Sequence, residues 1–75
     1  EPFLVTITPD KAAPVMHGHE GQEFNYVISG KMKLFIGDIS YELEEGDSVY
    51  FDSSVPHAVQ AMGDEEAQFI AVVMK

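Results

Sequence analysis

Hydrophobic and polar residues alternate along most of this chain, with a period of two. Such alternation places successive side chains on opposite faces, as in a β-strand. Gly37-Asp38, Gly46-Asp47 and the run from Gly63 to Glu66 fall between the alternating stretches and predict turns. No segment keeps the 3.6-residue period of an amphipathic helix. Seven or eight short strands are expected, which is typical of a barrel or a sandwich.

Two of the predicted strands are apolar on both faces. From Glu23 onward, Asn25 and Val27 share the face of Glu23, whereas Phe24 and Tyr26 lie on the opposite face. The closing stretch from Ala67 to Met74 is apolar on both sides as well. A strand of this kind needs cover on both faces. In a domain of this size a second protomer is the expected cover, so we predict a homodimer.

The length of 75 residues predicts one small domain, residues 1–75. The chain begins with Glu1 rather than methionine, which is consistent with a domain cut from a larger chain. A core of this size gives marginal stability and usually needs a disulfide, a metal or a partner chain. The chain has no cysteine, which excludes disulfides and leaves a metal or oligomerisation as the expected support.

The charge is strongly acidic, with 4 Lys and Arg against 13 Asp and Glu and a formal net charge of −9. Such a surface repels phosphate backbones and anionic lipids, so we expect no direct nucleic-acid binding and no membrane association. The longest apolar run, Phe69 to Met74, is too short to cross a bilayer. No secretory signal pattern is visible, and a cytoplasmic location is expected.

All three histidines of the chain fall in one pattern with a carboxylate: His17, His19, Glu23 and, downstream, His57. On a strand, His17 and His19 would point to the same face. Three imidazoles and a carboxylate suit a divalent transition metal. Imidazole favours Zn, Cu, Fe and Ni, and the carboxylate keeps Fe and Mn open. The alternative is a chance grouping of surface histidines. No serine or cysteine relay and no phosphate loop is visible, so the catalytic residues are unknown.

The spacing His17-x-His19-x-x-x-Glu23, followed by Gly30, resembles the first motif of the cupin superfamily, and the stretch from Gly46 through Pro56-His57 resembles the second. The resemblance covers nearly the whole chain. It implies an all-β fold, a small jelly-roll-like barrel of two antiparallel sheets. It also implies that a divalent metal (Fe, Mn, Zn or Ni) is held at the mouth by His17, His19, Glu23 and His57.

The stretches from Tyr50 to His57 and from Glu23 to Val27 resemble, more narrowly, the C-terminal cupin of bacterial helix-turn-helix regulators. This implies a sensory module that binds a small polar or carboxylate ligand while a separate helical domain binds DNA. The alternative is a small metal-dependent enzyme of dioxygenase, isomerase or decarboxylase type. A third hypothesis is a structural barrel whose four ligand positions are vestigial.

Overall fold

The computed structural model describes residues 2–10 and 13–75. Within these ranges the chain forms seven strands and no helix. The strands are β1 (Pro2–Ile7), β2 (Gln22–Ser29), β3 (Lys31–Ile36), β4 (Ile39–Glu44), β5 (Ser48–Asp52), β6 (His57–Ala61) and β7 (Ala67–Met74). The predicted strand number and the predicted span of the last strand are confirmed. No helix long and apolar enough to cross a membrane occurs among the described residues.

The strands form two antiparallel sheets. The larger sheet has the order β1-β7-β2-β5, and the smaller has the order β4-β3-β6. Neighbours in both sheets pair antiparallel throughout. The all-β barrel of two antiparallel sheets predicted from the sequence is therefore confirmed. Strands β2 and β7 lie in the middle of the larger sheet, where each is paired on both edges.

Strand β2 alternates as the sequence predicts. Glu23, Asn25 and Val27 face the barrel interior and are buried, whereas Tyr26 lies on the outer side and is exposed. A bulge between Val27 and Ser29 ends the regular pairing with β7. The inner face of β2 therefore carries polar side chains near the start of the strand and apolar core side chains further along.

The apolar core occupies the end of the barrel where β2 leads into β3. Val27, Met32 and Phe69 are almost fully buried there, with small residues from β6 and β7 between them. The opposite end, formed by the starts of β2 and β6, contains the polar side chains predicted to bind metal. The fold thus separates a packed closed end from a polar open end.

Two glycines stand at the two ends of β2 because no larger residue fits. Gly21 has a φ of +109°, and a Cβ there would collide with the carbonyl oxygen of Met74. Gly30 has a φ of +78°, and its Cβ would lie 2.9 Å from the Cα of Ala67. Both glycines let the ends of β2 lie directly against the chain at the two ends of β7. This contact fixes where β2 begins, and with it the position of Glu23.

The structure differs from the expected pattern in two places. The segment carrying His17 and His19 is a loop with a single bridge at His17 rather than a strand. On the edge strand β4, Ile39 and Tyr41 alternate with polar residues as in a half-buried strand but remain exposed. The sequence also predicts a loop from Pro9 to Pro14, of which residues 11 and 12 lie outside the described residues.

Candidate metal centre

Three of the four predicted ligands meet at the open end of the barrel. His19 lies in the loop before β2, Glu23 is the second residue of β2, and His57 is the first residue of β6. One ligand atom from each lies within 4.8 Å of the other two. Glu23 comes from the larger sheet and His57 from the smaller one. The group therefore spans the gap between the two sheets.

The spacing of these donor atoms fits a transition-metal ion. Glu23 Oε1 lies 3.1 Å from His19 Nε2 and 3.5 Å from His57 Nε2. Metal bonds of about 2.1 Å put neighbouring ligand atoms roughly 3.0 Å apart in octahedral and roughly 3.4 Å apart in tetrahedral geometry. Two imidazole nitrogens and one carboxylate oxygen also match the ligand preference of divalent first-row metals. The three residues thus fit the metal that the sequence predicts.

His57 is held in the orientation that a ligand needs. Its Nδ1 lies 2.9 Å from the carbonyl oxygen of Val55. A carbonyl can only accept, so Nδ1 carries the proton and Nε2 keeps its lone pair for a metal. The ring of Phe51 packs edge-on against the imidazole, with centroids 5.0 Å apart. Pro56, which immediately precedes His57, restricts the backbone at this point.

A backbone hydrogen bond fixes the position of His19, whereas its ring remains partly exposed. Its N–H donates to the carbonyl of Ser53 at 2.8 Å, which ties the loop to the turn before β6. The side chain remains 40% exposed, against 11% for Glu23 and for His57. His19 is therefore the outermost of the three donors and the one nearest to solvent.

His17 is placed beside the group but outside it. Its N–H donates to the carbonyl of His57 at 2.9 Å, and the His57 N–H donates back to the His17 carbonyl at 2.7 Å. Directly opposed residues of an antiparallel pair point to the same side. The His17 imidazole is nevertheless not among the donors that lie within 4.8 Å of one another. Its role as a fourth ligand stays a prediction.

Glu23 is buried, and its carboxylate is shared between two sets of neighbours. One oxygen faces the two imidazoles, and the other faces the side-chain amide of Asn25. Asn25 was not singled out as a site residue from the sequence. The sequence does contain a signal for it. Asn25 lies two positions after Glu23 on the same strand, so the two side chains share one face.

A cavity of about 550 Å³ opens beside the group. Its wall includes His19 and Glu20, the apolar side chains of Phe3 and Val73, and Lys75. A small molecule in this cavity would meet a candidate metal ligand, a cation and an apolar surface. A cavity of the same volume at the closed end is walled largely by carboxylates and contains none of the three donors.

Two hydrogen bonds to the Asp52 carboxylate stabilise the turn that leads to His57. The Ser54 hydroxyl donates to Asp52 Oδ1 at 2.6 Å, and the Ser54 backbone N–H donates to the same oxygen at 2.9 Å. These two bonds, the hydroxyl bond first, hold the pKa of the Asp52 carboxyl below its usual value. The sequence Asp52-Ser53-Ser54 is typical of a turn into the His57 strand, and the structure has the turn at Ser53 and Ser54, directly after Asp52 ends β5.

Comparison with known proteins identifies the family. A family described as "Cupin domain" matches residues 3–73. The chain is a cupin. Oxalate decarboxylase OxdC of Bacillus subtilis (strain 168) is 36% identical over 62 residues, which cover 76% of this cupin and 16% of that protein. An uncharacterized protein of Methanocaldococcus jannaschii is 24% identical over 59 residues, covering 77% of this cupin and 47% of that protein.

Solved structures of hydroxypropylphosphonic acid epoxidase show the same architecture. The enzyme from S. wedmorenis in complex with fosfomycin superposes with a TM-score of 0.87 at 31% identity, covering 97% of this cupin and 42% of that chain. The Fe(II) form with substrate gives 0.88 at 31% identity, covering 97% and 44%. The cupin thus spans less than half the length of these relatives.

Proposed function

We propose that this cupin is a metal-dependent ligand-binding module. His19, Glu23 and His57 hold a divalent transition metal, and a small polar or carboxylate ligand binds beside it. The observation that carries the proposal is the convergence of two imidazole nitrogens and one carboxylate oxygen within 4.8 Å. Three protein ligands leave positions for a ligand on an octahedral ion. Lys75 in the adjoining cavity adds a positive charge suited to a carboxylate.

His17 completes the ligand set in this proposal. Its backbone is bonded to His57 on both sides of the bridge, so only its side chain has to turn toward the metal. The exposed ring is free to do so at small cost. The metal is expected to be Fe, Mn, Zn or Ni. Solved structures of the epoxidase with Fe(II) and with Co(II) support a first-row divalent ion.

We assign the module, residues 1–75, to the sensory part of a bacterial helix-turn-helix regulator, with a cytoplasmic location. The support is the resemblance of the stretches from Glu23 to Val27 and from Tyr50 to His57 to such regulators. Ligand binding at the metal would then alter the relation between two protomers and, through it, the DNA-binding domain. The cupin itself would not touch DNA, because its net charge is −9.

A second candidate is a metal-dependent enzyme, and the comparisons favour it. Two of the similar proteins carry enzyme names, oxalate decarboxylase and an epoxidase. A bound metal would supply Lewis-acid or redox chemistry of dioxygenase, isomerase or decarboxylase type. In this candidate Glu20 and Lys75, which share the cavity with His19, are the titratable side chains available to move a proton.

The first test is elemental analysis of the purified domain beside His57→Ala and His17→Ala. We expect one metal per chain in the wild type, its loss in His57→Ala, and weaker retention in His17→Ala, because the His57 donor is the more buried and better oriented. Absence of metal after reconstitution with Fe²⁺, Mn²⁺, Zn²⁺ and Ni²⁺ would overturn the proposal and favour a vestigial site. Turnover of a small carboxylic acid by the wild type but not by His57→Ala would favour the enzyme.

The outer face of the larger sheet supports the predicted homodimer. The register places Pro2, Val72, Phe24 and Tyr50 in one row across all four strands on this side. A second row contains Leu4, Ile70 and Tyr26, and the only charged residue on this side of the four strands is Asp52. A largely apolar face with a single charged residue is unusual on a chain with a net charge of −9.

We infer that the occupant of this face is a second copy of the chain. The four strands contain 6, 8, 8 and 5 residues, so strands about 4.8 Å apart with a rise of about 3.3 Å per residue give roughly 430 Å² in plane. That area is in the range of apolar patches that mark interaction sites, and it supplies much of the ~800 Å² per partner in a standard interface. A face with a single carboxylate offers little to a basic partner, and twofold symmetry pairs it with itself.

The mass measured by light scattering tests the dimer. Tyr26 and Tyr41 are 43% and 44% exposed, but only Tyr26 lies on the outer face of the larger sheet. We expect Tyr26→Glu to give monomers and Tyr41→Glu to stay dimeric. High salt should strengthen the wild-type dimer, because it screens repulsion between two acidic chains. A monomeric wild type at micromolar concentration and high salt would overturn the inference.

A further inference from the structure

Asn25 is a polar residue in an apolar part of the barrel. It is fully buried, and its neighbours in register are Ala71 on β7 and Val49 on β5. A buried amide costs free energy unless its groups find hydrogen-bond partners. A leucine or valine would fill the same space without that cost. The amide therefore calls for an explanation in terms of what it contacts.

The amide nitrogen of Asn25 has two acceptors. In the orientation that satisfies its surroundings, it donates to Glu23 Oε2 at 2.9 Å and to the carbonyl oxygen of Phe24 at 3.1 Å. The other carboxylate oxygen, Glu23 Oε1, faces His19 Nε2 and His57 Nε2 at 3.1 and 3.5 Å. The two oxygens of one carboxylate thus have separate neighbours, an amide on one side and two imidazoles on the other.

We propose that Asn25 is a positioning residue for the metal, which makes Glu23 bind through Oε1 alone. This inference rests on the proposed metal-binding function. Rotation of the carboxylate toward two-oxygen binding would break its bond to the Asn25 amide. Because both side chains are buried, water is poorly placed to replace that bond. The carboxylate is therefore held ready before the metal arrives, and little ordering is left for the binding step.

The competing explanation is that Asn25 only stabilises the fold. Its bond to the carbonyl of its neighbour Phe24 would serve that purpose alone. The two explanations predict different effects on metal binding when the Asn25 amide is removed. A packing role predicts lower stability of the metal-free chain with unchanged metal affinity and spectrum. A positioning role predicts a change in affinity and in the coordination of the metal.

The experiment uses the full chain and Co²⁺ as the probe. Asn25→Leu keeps a similar volume and removes the donor, and Met32→Ala weakens the core at the closed end as a control for stability. Dissociation constants are measured by chelator competition, and the Co²⁺ absorption spectrum reports coordination. We expect Asn25→Leu to bind about 10–100-fold more weakly with an altered spectrum, and Met32→Ala to bind as the wild type does. If Asn25→Leu fails to fold, Asn25→Ala replaces it.

A double-mutant cycle isolates the route through Glu23. In a Glu23→Ala background the carboxylate is absent, so Asn25→Leu should no longer change Co²⁺ affinity. An unchanged affinity and spectrum for Asn25→Leu in the wild-type background would overturn the positioning role alone. The same loss in both backgrounds would also overturn it. A wild type that binds no metal would overturn the proposed function, and this inference with it.

Discussion

At the scale of single residues, the candidate metal centre depends on groups that are not ligands. The Val55 carbonyl fixes the protonated nitrogen of His57, and the Ser53 carbonyl fixes the backbone of His19. Both belong to the turn between β5 and β6. The neighbouring Asp52 and Ser54 bonds stabilise the same turn. The orientation of two candidate ligands thus depends on a few turn residues that carry no metal chemistry of their own.

Ser54→Ala should raise the pKa of Asp52. The Ser54 hydroxyl is the main cause of the lowered pKa of this exposed carboxyl, followed by the Ser54 N–H. A lowered folded pKa stabilises the folded chain above the unfolded value, about 3.9, and the benefit is lost as the pH falls through the folded value. An NMR titration of Asp52 measures the change. Ser53→Ala is the control, because its hydroxyl has no hydrogen-bond partner among the described residues.

Gly21→Ala should destabilise the fold more than Gly46→Ala. Both glycines have positive φ, +109° and +90°, so alanine strains the backbone at either position, by about 1–3 kcal/mol. A Cβ at Gly21 also meets the carbonyl of Met74, whereas one at Gly46 has nothing within 4 Å. The free energy of unfolding in urea gives both losses. Equal losses would contradict the close approach of the chain at Gly21.

At the scale of elements, much of the fold could be predicted from the sequence. The stretch from Ala67 to Met74 is a strand with those bounds, because it is apolar on both faces and begins directly after a turn. The buried face of Glu23, Asn25 and Val27 also follows the predicted alternation. Local pattern succeeds here because the period of a strand is fixed by backbone geometry.

The remaining features depend on contacts between distant elements. The spacing of His17 and His19 predicts that both lie on one strand. In the structure no continuous strand pairs with their segment, and only the bridge between His17 and His57 forms. The exposure of Ile39 and Tyr41 could not be predicted, because alternation does not show whether a strand's inner face will be covered. From the sequence, the contact between Asn25 and Glu23 could be inferred only because residues two positions apart on a strand share a face. These misses arise where tertiary contacts override the local pattern.

Strand β3 gives a direct test of the two faces. Leu34 is fully buried, while its neighbour Phe35 lies on the other face, partly exposed, with Lys33 Nζ 5.9 Å from its ring centroid. Leu34→Ala should cost about 2–5 kcal/mol of unfolding free energy, and Phe35→Ala clearly less. Urea denaturation of both variants measures this. A larger loss for Phe35→Ala would show that its face is covered, for example by a partner.

At the scale of the whole molecule, stability is limited by size. A domain of 75 residues is expected to have about 4–11 kcal/mol of unfolding free energy. The described residues have a radius of gyration of 11.4 Å, and the packed core occupies one end of the barrel. The open end has polar groups in place of core. Binding of a ligand there should therefore contribute a large fraction of the total stability.

Metal addition should raise the thermal midpoint. A free metal concentration a hundred times the dissociation constant stabilises the folded state by about 2.7 kcal/mol, which corresponds to roughly 10–20 °C for a domain of this size. Calorimetry with Mn²⁺ or Co²⁺, with and without a chelator, measures the shift. Mild acidification should reverse it, because protons compete for the imidazoles. The same shift in a His19→Ala/His57→Ala double variant would place the binding elsewhere.

The position of Glu23 and His57 in different sheets has a mechanical consequence. Apolar packing joins the two sheets at the closed end, whereas at the open end they are joined by these facing side chains, by the contact of the Phe51 ring with His57 and by the turn from β5 to β6. An ion bound between them acts as a removable clasp in a chain that has no disulfide. We expect such an ion to restrict the relative motion of the two sheets at the open end, while apolar packing holds the closed end.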